Sequence, residues 1–145
     1  MKKLLIAAAL MIATSAVAAD DPIKARSDIM KSFGGAMKVL VPVAKGEAAY
    51  DAAAVNAALA AINEGAQKID VAALFPAGST NADTTAAPAI WENMADFTAR
   101  ADKLKADAAA AAAANPADAD AFKAVFGPLS GNCGGCHETY RIKKG

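Results

Sequence analysis

The sequence predicts an all-α fold, an antiparallel four-helix bundle, and three observations carry that prediction. Alanine dominates a chain in which aromatics make up only 6% of residues. Alanine favours helix because its side chain loses no rotamer entropy on ordering. Apolar side chains recur in alternating steps of three and four along four separate segments, the spacing of a single helical face. Cap residues followed by proline, and glycine-bearing stops, punctuate those segments where helices begin and end.

The chain opens with Met1-Lys2-Lys3, an apolar run from Leu4 to Met11 and a small-x-small site at Ala16-Val17-Ala18. That order is the pattern of a secretory signal peptide, so residues 1–19 are expected to be a leader and residues 20–145 one domain in the periplasm. The apolar run is too short to cross a bilayer comfortably, and no second such run follows, so no membrane span is expected. About 125 residues then remain, enough for one core. The formally neutral chain loses Lys2 and Lys3 with the leader, which leaves the rest at −2. That balance excludes nucleic acid as a partner, because such binding needs a concentrated basic face.

The first helix is predicted to start at Asp21-Pro22, a carboxylate cap followed by proline at the first helical position. Its inward stripe is Arg26, Met30, Phe33, Met37 and Leu40, and Gly46 ends it. Gly34-Gly35 interrupts this helix at about 1 kcal/mol per glycine relative to alanine, and close approach of a neighbour would explain the pair. Asp51 caps the second helix, whose stripe is Val55, Leu59, Ile62, Ala66 and Ile69. A breaker- and hydroxyl-rich loop from Leu74 to Thr85 follows. The third helix starts near Pro88, uses Ile90, Met94, Phe97, Ala101 and Leu104, and ends in a nearly pure alanine tract suited to close packing. Asn115-Pro116 is expected to end it and begin the fourth helix, with the stripe Phe122, Phe126, Leu129, Cys133, Cys136 and Tyr140. Gly127-Pro128 should bend that last helix, since proline removes a donor and crowds the preceding turn.

Cys133-Gly134-Gly135-Cys136-His137 lies on this fourth helix, eight residues from the end of the chain. Two thiols three positions apart, followed at once by an imidazole, form the pattern for covalent attachment of a c-type haem. Cys133 and Cys136 would each add a sulfur to a vinyl group, and His137 would supply the proximal nitrogen to iron. The two glycines let the backbone pass close to a macrocycle. Zinc would need two further soft ligands, yet the chain holds only two Cys and one His. A redox dithiol sits on a strand-to-helix turn of an α/β fold, and no strand pattern precedes this one. A lone structural disulfide is the plainest competitor. The export signal favours haem, because apocytochromes of this type receive it after export. No nucleophile–base pair, carboxylate dyad or phosphate loop is visible, so the chain is not read as an enzyme.

Taken together, a leader, four helices and C-x-x-C-H in the last helix resemble the class II c-type cytochromes, the cytochrome c′ and cytochrome c-556 family. Arg26-Ser27-Asp28-Ile29-Met30-Lys31 is similar to the family's first-helix segment, and Lys45 to Asp51 to its first interhelical turn. Leu74-Phe75-Pro76, Pro88-Ala89-Ile90-Trp91 and Cys136-His137-Glu138-Thr139-Tyr140-Arg141 extend the likeness over the whole mature chain.

The resemblance implies one haem c, periplasmic redox partner proteins, and either a monomer or a homodimer. It also places the distal iron position four residues after the first-helix arginine, at Met30. With a methionine ligand, as in cytochromes c-556, iron is six-coordinate, low-spin and suited to electron transfer. With an apolar side chain over an open position, as in cytochromes c′, it binds small gases such as nitric oxide or carbon monoxide. Met30 fits the first reading, and methionine as core filler fits the second. For Met37 and Met94, core packing is expected. Arg26 takes the family's role of propionate partner, against the alternative of an exposed helix-edge arginine. Ser79, Thr80 and Thr85 are loop hydroxyls within reach of the same role. Arg141 matches a basic position near the proximal histidine, although a helix-end charge explains it equally.

Overall fold

A computed structural model describes residues 21–143; the expected leader, Lys144 and Gly145 lie outside these described residues. Six helices follow in order: α1 (Pro22–Lys45), α2 (Ala52–Gln67), α3 (Val71–Leu74), α4 (Ala89–Glu92), α5 (Met94–Ala114) and α6 (Ala119–Tyr140). The four long ones form the bundle. α1 packs on α2, α2 on α5, α5 on α6 and α6 on α1, which closes the ring. Among the described residues the only β pairing is an isolated antiparallel bridge between Ala86 and Arg141.

The caps work as their chemistry requires. Asp21, Asp51 and Asp118 each accept backbone N–H groups at the first turn of α1, α2 and α6. Gly46 ends α1 in the left-handed region at φ 76°, where its N–H and that of Glu47 reach back to the carbonyls of Val43 and Pro42. Three boundaries differ from expectation. Asn115 does not start the fourth helix; it closes α5 at φ 42°, and α6 begins only after Asp118. The short side chain of asparagine tolerates left-handed backbone, which makes it a stop here. The second helix ends at Gln67, and buried Ile69 lies in the turn before Asp70 caps the single turn of α3. The third helix is broken at Asn93 into α4 and α5. The fourth, by contrast, runs through Pro128 as one element.

The stripes face inward. Val55, Leu59, Ile62, Ala66, Phe97, Ala101, Phe122, Phe126 and Leu129 are all buried. Ala108 and Ala111 are buried too, so the alanine tract serves close packing. At this end of the bundle Tyr50 donates to the Pro116 carbonyl at 2.5 Å, tying the α1–α2 turn to the α5–α6 turn. The glycine at the tight helix crossing is Gly65, not Gly34 or Gly35, around which a Cβ would meet nothing within 4 Å. A Cβ on Gly65 would lie 2.5 Å from Phe33 Cε1 and 3.2 Å from Ser32 Oγ. Gly65→Ala should therefore destabilise the protein by about 1–3 kcal/mol through overpacking, outweighing the gain in helix propensity. A lowered midpoint in denaturant unfolding would register it.

Candidate functional site

Residues along α1, from α5, from the C-terminal half of α6 and from the loop before α4 surround a cavity of about 820 Å³. This volume is within the range of about 300–1,000 Å³ usual for ligand and cofactor sites. Apolar side chains from four elements wall it, among them Phe33, Val41, Phe75, Phe97, Leu104 and Phe126. Cys133, Cys136, His137, Met30 and Arg26 all lie on its lining, as do Thr85 and Arg141, whereas Ser79 and Thr80 do not. The first five come together because the α1 stripe and the α6 stripe meet across the same space.

The thiols of Cys133 and Cys136 are unbonded and half-buried. Burial pushes both thiols above the ordinary range, with Arg100 opposing the shift at Cys136. A redox dithiol needs the reverse, a stabilised thiolate. Among the described residues no cluster of three His, Cys, Asp or Glu side chains capable of holding a metal ion is assembled. Burial, assisted by the nearby charge of Arg141, lowers the pKa of His137. Its imidazole is thus neutral at pH 7, with a lone pair free for a metal.

Met30 lines the same cavity from α1. It is 42% exposed, whereas Phe33 and Leu40 on the same stripe are buried. Its thioether therefore borders open space instead of filling the core. Met37, which also lines the cavity, and Met94 are half-buried and packed against the core cluster, as expected of gap-filling methionines.

Arg26 is the one buried charged residue among those described, at 7% exposure. Its Nη2 donates to the Ser79 carbonyl at 2.7 Å, and its guanidinium lies 4.7 Å from the centre of the Phe75 ring. Burial lowers its pKa, partly offset by Asp21. Its Nε and Nη1, and the Ser79 hydroxyl, are buried with no hydrogen-bond partner among the described residues. Unpaired buried donors of this kind cost about 1–3 kcal/mol each, more when charged. Two unpartnered guanidinium donors on a residue that lines the apolar cavity, with the Ser79 hydroxyl on the residue it bonds, fit a macrocycle that carries carboxylates. Loop composition hinted at Ser79, but only the fold brings it to Arg26.

Sequence reasoning did not single out Arg100. It lines the cavity from α5 and donates from Nη1 to the Gly135 carbonyl at 2.7 Å, between the two cysteines. Its Nε pairs with Asp96 Oδ2 at 2.7 Å, and the Tyr140 hydroxyl donates to the same oxygen at 2.5 Å. The available signal was the four-residue spacing of Asp96 and Arg100, a common helical ion pair.

A family model described as Cytochrome C' matches residues 21–141. A cytochrome c-556 of Agrobacterium fabrum is 42% identical over 147 residues, covering 99% of this chain and 99% of the relative. A cytochrome c' of Rhodopseudomonas palustris is 45% identical over 130 residues, covering 89% of this chain and 87% of the relative. The solved structure of cytochrome c' from Rhodopseudomonas palustris superposes with a TM-score of 0.78 at 42% identity, over 87% of this chain and 99% of that one. A nitric oxide complex of a cytochrome c prime variant from Alcaligenes xylosoxidans superposes with a TM-score of 0.73 at 30% identity, over 86% of this chain and 95% of that one. By sequence and by fold, this chain belongs to the cytochrome c′ family, whose cofactor is haem c.

Proposed function

We propose that this protein is a periplasmic single-haem electron carrier in which His137 and Met30 are the axial ligands. Cys133 and Cys136 hold the haem covalently, and Arg26 with Ser79 receives its carboxylates. The observation that carries this reading is the shared cavity. Its lining on α6 bears the attachment motif, and the half-exposed Met30 lines it from α1. When bound, the haem supplies a one-electron iron couple, and an axial methionine raises its potential. The chain's own contributions are fixation and exclusion. Two thioether links and an imidazole on one helix fix the macrocycle against α6. The apolar walls from α1, α5 and the loop keep water from the iron. No helix among the described residues is long and apolar enough to cross a membrane, consistent with a carrier that meets its redox partner proteins by diffusion.

The second reading has its own support. A solved relative at 30% identity is a nitric oxide complex, which supports a reading in which an open distal side makes this protein a gas binder. Titrating the ferrous protein with carbon monoxide separates the two. Weak or slow binding is the expected result for a methionine-ligated iron; ready binding favours the open site.

Arg26 offers a further test. Arg26→Gln should destabilise the haem-loaded protein by about 1–3 kcal/mol through loss of charge-assisted bonds to carboxylate. In the haem-free chain the same change should be neutral or stabilising, because it removes an under-partnered buried charge. Thermal unfolding of both forms checks this difference of sign.

A further inference from the structure

We propose that Arg100 is a positioning residue that places a fixed positive charge beside the haem-attachment turn and thereby sets the reduction potential. This rests on the haem reading above. Arg100 reaches into the turn itself, since its bond to Gly135 crosses from α5 to α6 and spans 35 residues of sequence. The guanidinium is clamped from behind. Asp96 holds Nε, Tyr140 bonds the same carboxylate oxygen, and the Tyr140 ring lies 5.5 Å from the guanidinium centre. Tyr140 in turn is fixed by an edge contact with Phe97 at 5.1 Å and by its carbonyl, which accepts from Ala87 N–H. The arginine therefore cannot swing away from the cavity without breaking bonds to two helices.

A helix-surface ion pair serving only helix stability would have no reason to reach the backbone between the cysteines. Here the cation faces the cavity and its counter-ion stands behind it on the outer side, at 39% and 51% side-chain exposure respectively. A cation close to a haem disfavours the oxidised, more positive state. Asp96 offsets part of that field, so the pair is a charge of adjustable size. Both members remain ionised at neutral pH: the Tyr140 hydroxyl, then Arg100, holds the Asp96 carboxyl below its usual range, and Asp96 raises Arg100.

The test is the midpoint potential of the purified haem protein in three variants. Arg100→Gln removes the cation and should lower the potential; Asp96→Asn leaves the cation uncompensated and should raise it. Because both groups are partly exposed, each shift should be about threefold in the one-electron equilibrium constant, or about 30 mV at 59 mV per decade. Arg100→Lys keeps the charge and should return the potential toward that of the unmodified protein. Both charge variants break the same ion pair, so simple loosening of the turn would move them in one direction. Shifts of the same sign, or no shift, overturn the proposal. Should Arg100→Gln fail to mature, Asp96→Asn decides alone, with a fall or no change counting against it. Covalent haem content, measured on the same samples, separates this from failure of the haem reading. An unmodified protein without bound haem refutes that reading, whereas full haem with an unmoved potential refutes only the role of Arg100.

Discussion

Under the proposed axial pair, Met30→Ala should convert the haem protein from six-coordinate low-spin to five-coordinate high-spin, and its ferrous form should then bind carbon monoxide at least about tenfold more tightly, a change of about 1.4 kcal/mol. The magnitude follows from competition: a gas must displace the thioether in the native protein and meets no rival in the variant. The fold should survive the change. Removing a buried methionine side chain costs about 2–5 kcal/mol because a cavity is left behind. Met30 is 42% exposed and already borders a cavity, so little core packing is lost. Met37→Ala and Met94→Ala supply the contrast. Both side chains pack on the core, so these variants should lose stability and keep the native spin state. Carbon monoxide titration and absorption spectra of the three variants check the pattern.

Replacing both Cys133 and Cys136 by Ser abolishes covalent attachment altogether. The expected result is loss of haem staining on a denaturing gel, with any residual haem extractable by acidified organic solvent. Each single variant should retain one thioether link and partial staining. Stability should fall as well, since the native state loses the apolar contacts that a haem fixed in the cavity would bury. Without it, an apolar space of about 820 Å³ faces water, and the buried donors of Arg26 and Ser79 keep no partner. Thermal unfolding of the double variant measures the loss.

Much of this was legible in the chain because helices bury stripes. Spacing alone put Phe33, Leu40, Val55, Leu59, Ile62, Phe97, Phe122 and Leu129 inside, and all are buried. The attachment motif needs only its own five residues, and Arg26 and Met30, which the first-helix stripe and the family likeness single out, line the same cavity. Boundaries were less legible where two residues compete for the same role. Asn115 and Asp118 are both good caps, and Pro116 resembles a helix start in either case. The left-handed backbone of Asn115 decided between them, and spacing carries no record of it. Gly65 shows the same limit. The pair Gly34-Gly35 is the conspicuous feature of the sequence, yet the tight contact of α1 and α2 falls at a single glycine on the partner helix. Arg100 and Ser79 were hidden for a different reason. Their significance lies in the carbonyl of Gly135 and the orphaned donors of Arg26, contacts across 35 and 53 residues that local pattern does not encode.

The axial pair of His137 and Met30 is tested most directly by the visible and near-infrared absorption spectra of the unmodified haem protein in both oxidation states. Methionine ligation predicts a sharp, split low-spin α band when reduced and a weak methionine–iron charge-transfer band when oxidised. A broad high-spin spectrum in both states, without that band, would contradict it and make the protein an open-site gas binder.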